Sequence, residues 1–343
     1  MKKQRSISLF VFGLALTLVM YNCKKSDPLE PDQTIVDKLN DIKVAQVTIA
    51  PPAAVTTTPS SITASAKATE TATGIASISA TGVVPASVTT SATQVSAALS
   101  PTEVATMAAV TPATFAAVAA GGALPADLKS VLDKASADPA LKAFLPSFTL
   151  PTVNGKAVPG RQGASVPQTI AQSEGLEVSD ECIAKAEAAF ATAKVNLDAS
   201  KATQIAAVEK AYQDAIAPIS AAQATCTGGI PAKYAALDAA AKTTYDATNA
   251  ALDANQALLG SNYALLKALN SISYLGYLSS SNTLQAADVA ACTAAGAAST
   301  TAAQAARTAN TAAVEAAYQT ALAAANTVKT DLIKSCHNQG GGN

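Results

Sequence analysis

Residues 179–217 read SDECIAKAEAAFATAKVNLDASKATQIAAVEKAYQDAIA, without one Gly or Pro. Ser179-Asp180-Glu181 places a capping side chain ahead of early acids, as helix starts do. Ile183, Ala186, Phe190, Ala193, Leu197, Ile205, Val208, Tyr212, Ala215 and Ile219 then recur at steps of three and four, with a single step of eight. That spacing marks one buried helical face. It predicts a helix over 180–217, kinked at Pro218 and continuing toward Cys226.

A second long run extends from Ala286 to Lys334, with Val289, Ala302, Ala306, Ala309, Ala313, Ala317, Leu322, Ala325, Val328 and Leu332 on its apolar face and Gly296 weakening its start. The heptapeptides AVEKAYQ (207–213) and AVEAAYQ (313–319) are near copies, one in each run. Cys182 and Cys226 stand 44 residues apart, and so do Cys292 and Cys336. Two antiparallel helices in fixed register require such equal intervals, so the expected pairing is Cys182–Cys336 with Cys226–Cys292. The hairpin pairing, 182–226 with 292–336, needs each run to fold back, yet Lys194 to Lys210 holds no turn residue. The crossed pairing is the third arithmetic option. Zinc is the metallic alternative, but the cysteines are not in the close pairs of structural zinc sites.

Nested pairing puts Cys226 and Cys292 at the same end, so the segment between them must leave and return. Gly228-Gly229-Ile230-Pro231 opens a helix carrying Tyr234, Leu237, Ala241, Tyr245, Ala251, Leu252 and Leu258. Gly260-Ser261-Asn262 is a turn, and Tyr263 to Leu278 returns with Leu265, Leu266, Leu269, Ile272, Leu275 and Leu278. The expected fold is therefore all-α: a disulfide-stapled antiparallel four-helix bundle of long Ala-rich helices over 179–336, with a flexible tail at 337–343.

Composition sets the outer bounds. Charged residues are 14% and aromatics 4%, with no Trp. Alanine is the best helix former, but it supplies little buried area. Residues 23–100 read as a tether. Its 51–100 stretch is Thr, Ser, Ala, Val and Pro with Lys67 and Glu70 as the only charges, a composition expected to stay disordered or extended. A weak-strand reading of Gly82-Val83-Val84 stands beside it. Residues 24–50 offer a helical turn or two at 37–42. Residues 101–178 are short helices and a Pro/Gly-rich connector, with Ser100-Pro101-Thr102-Glu103 a helix start. Phe144, Leu145, Phe148 and Leu150 form an apolar patch expected to dock on the helical domain.

The chain opens with Met1-Lys2-Lys3-Gln4-Arg5, followed by an apolar run from Ile7 to Met20 and then Tyr21-Asn22-Cys23-Lys24-Lys25-Ser26-Asp27. A basic head, a short apolar stretch and a processing site make a secretory signal. The apolar run is shorter than the ~20 residues of a membrane-spanning helix. This start resembles the signal peptides of bacterial lipoproteins, with Leu18 and Val19 as the aliphatic part of the lipobox. Tyr21-Asn22 departs from the usual small residues. Relaxed boxes of this kind resemble those of spirochaetes, and the Cys-Lys-Lys-Ser-Asp start is similar to lipoproteins of the Bacteroidetes. The resemblance covers the first 30 residues. It implies a signal peptide at 1–22, a lipid on Cys23, and a lipid anchor to the outer membrane or cell surface. An uncut signal anchor and soluble secretion are the alternatives. Two or three acyl chains hold a protein to a bilayer, where one alone is marginal.

Loss of the leader removes Lys2, Lys3 and Arg5, leaving 20 basic against 24 acidic side chains. This is no footprint for nucleic acid, which needs a basic face. No cofactor or metal motif is expected, and no catalytic residue. The one histidine, His337, lies in the terminal segment, and acids such as Glu187, Asp198, Glu209 and Asp238 are scattered over helical faces. Tyr234, Tyr245, Tyr263, Tyr274 and Tyr277 cluster in the middle hairpin, as core residues or as a binding face. Tyr274-Leu275-Gly276-Tyr277-Leu278 before Ser279-Ser280-Ser281 is expected to be an exposed apolar tip, with Tyr274 and Tyr277 as its interaction surface. The functional expectation is a membrane-anchored, non-enzymatic interaction or spacer protein with an unidentified protein or surface partner. An enzyme with an unrecognised site is one alternative. The other is a ligand or surface binder on the Ala/Thr helix, where the 11-residue step from Thr300 to Thr311 resembles ice-binding helices.

Overall fold

A computed structural model describes residues 30–158 and 181–338. Residues 1–29 with Cys23, residues 159–180 with the expected Ser179-Asp180 helix start, and the tail from 339 lie outside the described residues. In chain order the elements are α1 (Gln33–Asn40), β1 (Thr57–Thr58), β2 (Ser61–Thr63), α2 (Ala66–Thr81), α3 (Ala86–Ala98), α4 (Pro101–Ala108), α5 (Pro112–Ala119), α6 (Ala126–Ala137), α7 (Pro139–Lys142), β3 (Ser147–Thr149), β4 (Thr152–Val153), β5 (Lys156–Ala157), α8 (Glu181–Ile216), α9 (Ile219–Ala254), α10 (Gln256–Leu259) and α11 (Asn262–Asn338). The strands make two small antiparallel sheets, β1-β4-β5 and β2-β3, with Ile62 opposite Phe148. The class is all-α, and Cys182–Cys336 and Cys226–Cys292 are disulfide-bonded.

Two compact units emerge. One comprises residues up to 45 with 181–202 and 316–338; the other comprises 46–158 and 203–315. In the first, Leu39 and Val44 pack with Ala193 and Leu197 of α8 and with Tyr318, Ala321 and Ala325 of α11. This core is small, and three of its seven buried residues are alanine. The second unit is richer. Its largest cluster sets Val95, Met107, Phe115, Leu132, Leu141 and Phe144, from α3 through α7 and the turn after it, against Leu269, Ile272, Leu275 and Leu278 of α11.

The long helices repeat every 11 residues. Buried positions on α8 are Cys182, Ala186, Ala193, Leu197, Gln204 and Val208, alternating steps of four and seven. On α11 beyond residue 300, Ala303, Asn310, Val314, Ala321, Ala325, Leu332 and Cys336 alternate seven and four, with Tyr318 buried between Val314 and Ala321. Eleven residues in three turns is ~3.67 per turn, close to the natural helix period. The 44-residue cysteine intervals are thus four such repeats. Polar layers follow the same step. In the first unit Glu187 pairs with Lys329, whose ammonium lies 5.0 Å from the Phe190 ring centroid. Eleven residues on, Asp198 accepts from the Tyr318 hydroxyl while Lys201 covers that ring at 4.5 Å. In the second unit Glu209 pairs with Arg307, which covers Tyr212 at 4.9 Å. Each layer joins an acid, an aromatic ring and at least one cation, with Lys194 also paired to Asp198 in the middle one, and Tyr212 and Tyr318 are the tyrosines of the two near-copied heptapeptides.

Three expectations need correction. The helices of the bundle are divided differently from the expectation: Pro218, which has no N–H to donate, separates α8 from α9, while the expected return helix and last helix are one continuous α11. Gly260, at φ 52°, reverses the chain just before it. Gly228-Gly229-Ile230-Pro231 does not start a helix but lies within α9. Ile230 and Tyr234 are buried beside Cys292 and Leu284 there, and this packing outweighs local propensity.

Second, 51–100 is not a disordered tether. α2 and α3 bury Ile75, Ile78, Val88 and Val95. Threonine hydroxyls satisfy themselves on the preceding turn, as Thr69, Thr73, Thr89 and Thr93 do on the carbonyls of Ser65, Thr69, Pro85 and Thr89. Ser65 caps α2 and Gly82, at φ 68°, ends it. The expected start at Ser100 is a full capping box. Third, the Tyr274–Leu278 segment is no exposed tip but part of the second unit's core.

Candidate functional site

Tyr274 is 6% exposed and Tyr277 half-buried, both midway along the α11 stretch of the second unit. They face a cavity of about 250 Å³ between α2, α9 and α11, closed on one side by Phe144 and Pro146. The reason they are covered is Gly276. A Cβ there would stand 2.7 Å from the Leu145 methyl, so glycine admits the 143–146 turn onto α11. Half of the expected apolar patch docks in this way: Phe144 is fully buried, whereas Phe148 and Leu150 are 46% and 37% exposed.

The cavity exists because its walls are short. Ala68 and Ala72 of α2 face Ala240 and Ala241 of α9, with Ala64 and Ala240 solvent-exposed at its edge. Apart from the tyrosine hydroxyls, its polar wall groups are engaged elsewhere. Thr71 donates to the Lys67 carbonyl and meets the Ser91 hydroxyl at 2.8 Å. Thr244 and Thr248 donate to the Ala240 and Thr244 carbonyls. Ser273 donates to the Phe144 carbonyl, and the Asn270 amide to the Tyr245 carbonyl and the Asn249 side chain. Phe115, Tyr245 and Tyr274 form an aromatic cluster with centroids 4.7–5.0 Å apart, Tyr245 and Tyr274 stacked at 21°.

Burial, with the nearby Asp238 and Asp246 carboxylates, pushes the Tyr274 phenol up to about 12, and burial with Asp238 raises Tyr277. Both are hydrogen-bond donors at neutral pH. Behind them Asp238 of α9 and Ser281 of α11 each bury an oxygen without a partner. Burial raises the Asp238 carboxyl, and the neighbouring Ser281 hydroxyl offsets this only in part.

A second polar cluster escaped the sequence reading. Asp288 of α11, with its side chain 10% exposed, accepts from Lys233 at 2.8 Å, from the Tyr234 hydroxyl at 2.9 Å and from the Ser60 N–H at 3.3 Å. Lys233 also donates to the Ser60 carbonyl and hydroxyl. Burial would raise Asp288, but Lys233, Ser60 and Tyr234 hold it below the usual carboxylate range. Serine, lysine and tyrosine together suggest nucleophile chemistry, but an ion-paired lysine is a donor rather than a base. All three polar groups of Ser60 are engaged, so the cluster clamps the chain.

The same device recurs along residues 46–63. Gln204 accepts from the Val47 N–H at 2.9 Å. Asn310 accepts from the Ala50 N–H at 3.0 Å and donates to its carbonyl at 2.9 Å. Gln204 and Asn310 occupy buried repeat positions where alanine stands elsewhere, at Ala193 and Ala321. A polar residue at an otherwise apolar repeat position was the sequence signal for this strap.

Cys182, Cys226, Cys292 and Cys336 are in their two cystines, and Cys23 lies outside the described residues. Among the described residues no three His, Cys, Asp or Glu side chains converge to hold a metal ion, and no single helix is long and apolar enough to cross a membrane. Fold and site together define an all-α, disulfide-stapled helical protein with a tyrosine-lined cavity in its larger unit. No protein-family model, curated protein or solved structure matches the chain.

Proposed function

We propose that the protein is an exported, lipid-anchored envelope protein whose helical body acts by binding or spacing rather than by catalysis. The two cystines carry the reading. Structural disulfides persist in oxidising compartments and are rare where glutathione and thioredoxin keep thiols reduced. They are consistent with an exported protein. The basic head, apolar run and Cys23 supply a route out and an attachment point. The buried polar groups support a non-catalytic body, because Gln204, Asn310 and the Asp288 cluster are engaged in holding the chain's own backbone. The partner is then a protein or a surface.

The test is expression of the full chain in a bacterium with lipoprotein-processing enzymes, fed an alkyne analogue of palmitate. The wild type should carry label and enter the detergent phase on Triton X-114 partition. Cys23→Ser should lose both properties while keeping both cystines in a non-reducing peptide map. Unlabelled, water-soluble wild-type protein would overturn the anchor. Protease treatment of intact cells then separates surface display, in which the helical body is digested, from a periplasmic position, in which it survives until the envelope is opened.

A further inference from the structure

We propose that the cavity between α2, α9 and α11 is a binding site for a small neutral aromatic alcohol or ketone, about two fused rings in size. It stands apart from the anchoring reading, since it rests on the second unit alone.

Size comes first. An engineered cavity of ~150 Å³ lined by aliphatic and aromatic side chains stays dry and takes up benzene. At about 250 Å³ this cavity has room for a second fused ring. Charge comes next. None of the side chains lining it is ionisable as a carboxylate, ammonium or guanidinium. An anion entering would lose hydration without gaining a counter-ion and would lie near the Asp238 and Asp246 carboxylates beside Tyr274, so anionic ligands are rejected. The wall chemistry narrows the choice further. Thr71, Thr244 and Thr248 have their hydroxyls on helix carbonyls and so offer methyl groups. The stacked Tyr245 and Tyr274 rings offer aromatic contact.

Against this apolar lining, the hydroxyls of Tyr274 and Tyr277 have no hydrogen-bond partner among the described residues, and a single ligand oxygen would satisfy one of them. A binding pocket is usually of this kind, mostly apolar with a few placed polar groups. The alanines matter equally. A larger aliphatic residue at Ala72 or Ala241 would take up part of the space and narrow the site.

Isothermal titration of the full chain with 2-naphthol, naphthalene and 2-naphthoate tests the proposal. The expected result is one 2-naphthol per chain, bound about 3–10-fold tighter than naphthalene, as one neutral hydrogen bond provides. The naphthoate should bind at least tenfold more weakly than the naphthol. The double variant Tyr274→Phe/Tyr277→Phe should erase the naphthol preference and leave naphthalene affinity within twofold. Ala241→Leu should abolish both. Ala240→Phe, which adds bulk at a solvent-exposed edge position and so leaves the core intact, should weaken both at least fivefold with an unchanged far-ultraviolet dichroism spectrum. No naphthol binding, equal binding of the carboxylate, or naphthol affinity unaffected by Ala240→Phe and Ala241→Leu would each overturn the assignment.

Discussion

At single residues, the carboxyl groups divide into satisfied and unsatisfied, and the two kinds respond oppositely to pH. Glu103 is drawn down to about 2 by Lys134 and then by the Ser100 cap, and Asp198, Asp253 and Asp288 are also held low. The stability they add is present above their unfolded values and is lost only in acid. Asp238 is raised instead, by burial. Between its unfolded and folded values the native state binds the extra proton, so its contribution falls as pH rises. Deprotonation thus leaves a half-buried carboxylate with one oxygen buried and unpartnered, near the equally unpartnered Ser281 hydroxyl. Asp238→Asn, whose amide can donate to Ser281, should raise the melting temperature at pH 7 by about 2–4 °C, or about 1 kcal/mol. The gain should shrink as pH falls below the unfolded aspartate value, where the wild-type acid is protonated in both states. A gain independent of pH would mean that charge is not the cause. The tyrosine cluster around Asp238 was legible in the sequence as a cluster, but its setting was not. Periodicity marks Tyr274 and Tyr277 as lying near Leu275 and Leu278. It does not say that Leu145, 131 positions earlier, comes down on Gly276.

Among the elements, what could be read from sequence was whatever a helix repeats. The uninterrupted 179–217 run, the turn at Gly260 and the register of the two long runs all follow from spacing. The strap and α2–α3 were missed for a physical reason. Thr, Ser and Ala lack the bulk to print an amphipathic pattern, and β-branched residues score poorly as helix formers. Their order comes from partners far away in sequence, such as Thr71 with Ser91 and Ala50 with Asn310. Asn310 gives a clean test of how much the strap depends on its clamps. Alanine is the residue the 11-residue repeat already uses at Ala321, so Asn310→Ala leaves the helical seam intact and removes only the two bonds to Ala50. The stranded N–H and carbonyl should cost about 1–3 kcal/mol. Amide exchange at Val47 and Ala50 should accelerate at least tenfold, while that of α9 stays unchanged. Thr308→Ala, whose hydroxyl bonds only the Gln304 carbonyl on an exposed face, is the control and should be near neutral. Uniform acceleration across α9 and α11 would make Asn310 part of the global core rather than a clamp.

For the molecule as a whole, the two cystines do unequal work because the two units have unequal cores. Chain entropy alone favours Cys182–Cys336, which spans 154 residues against 66 for Cys226–Cys292, but only by about 0.7 kcal/mol. The larger difference lies in what each bond supports. Around Cys226–Cys292 the second unit has its Leu- and Phe-containing clusters and the Asp288 clamp. The first unit has Leu39, Val44, Leu197 and Tyr318 with three alanines, and alanine contributes little apolar area. Small cores of this kind depend on covalent staples. Loss of Cys182–Cys336 in the double variant Cys182→Ala/Cys336→Ala should therefore open 181–202 and 316–336 to rapid amide exchange, with the 226–292 peptides still protected. Loss of Cys226–Cys292 by the matching double variant should lower the melting temperature, by about 2–4 °C for each kcal/mol of the ~2–4 kcal/mol at stake, yet leave exchange slow throughout the second unit at 25 °C. The opposite pattern, with the second unit opening and the first holding, would show that alanine-on-alanine contact with its acid–aromatic–cation layers is the stronger of the two designs.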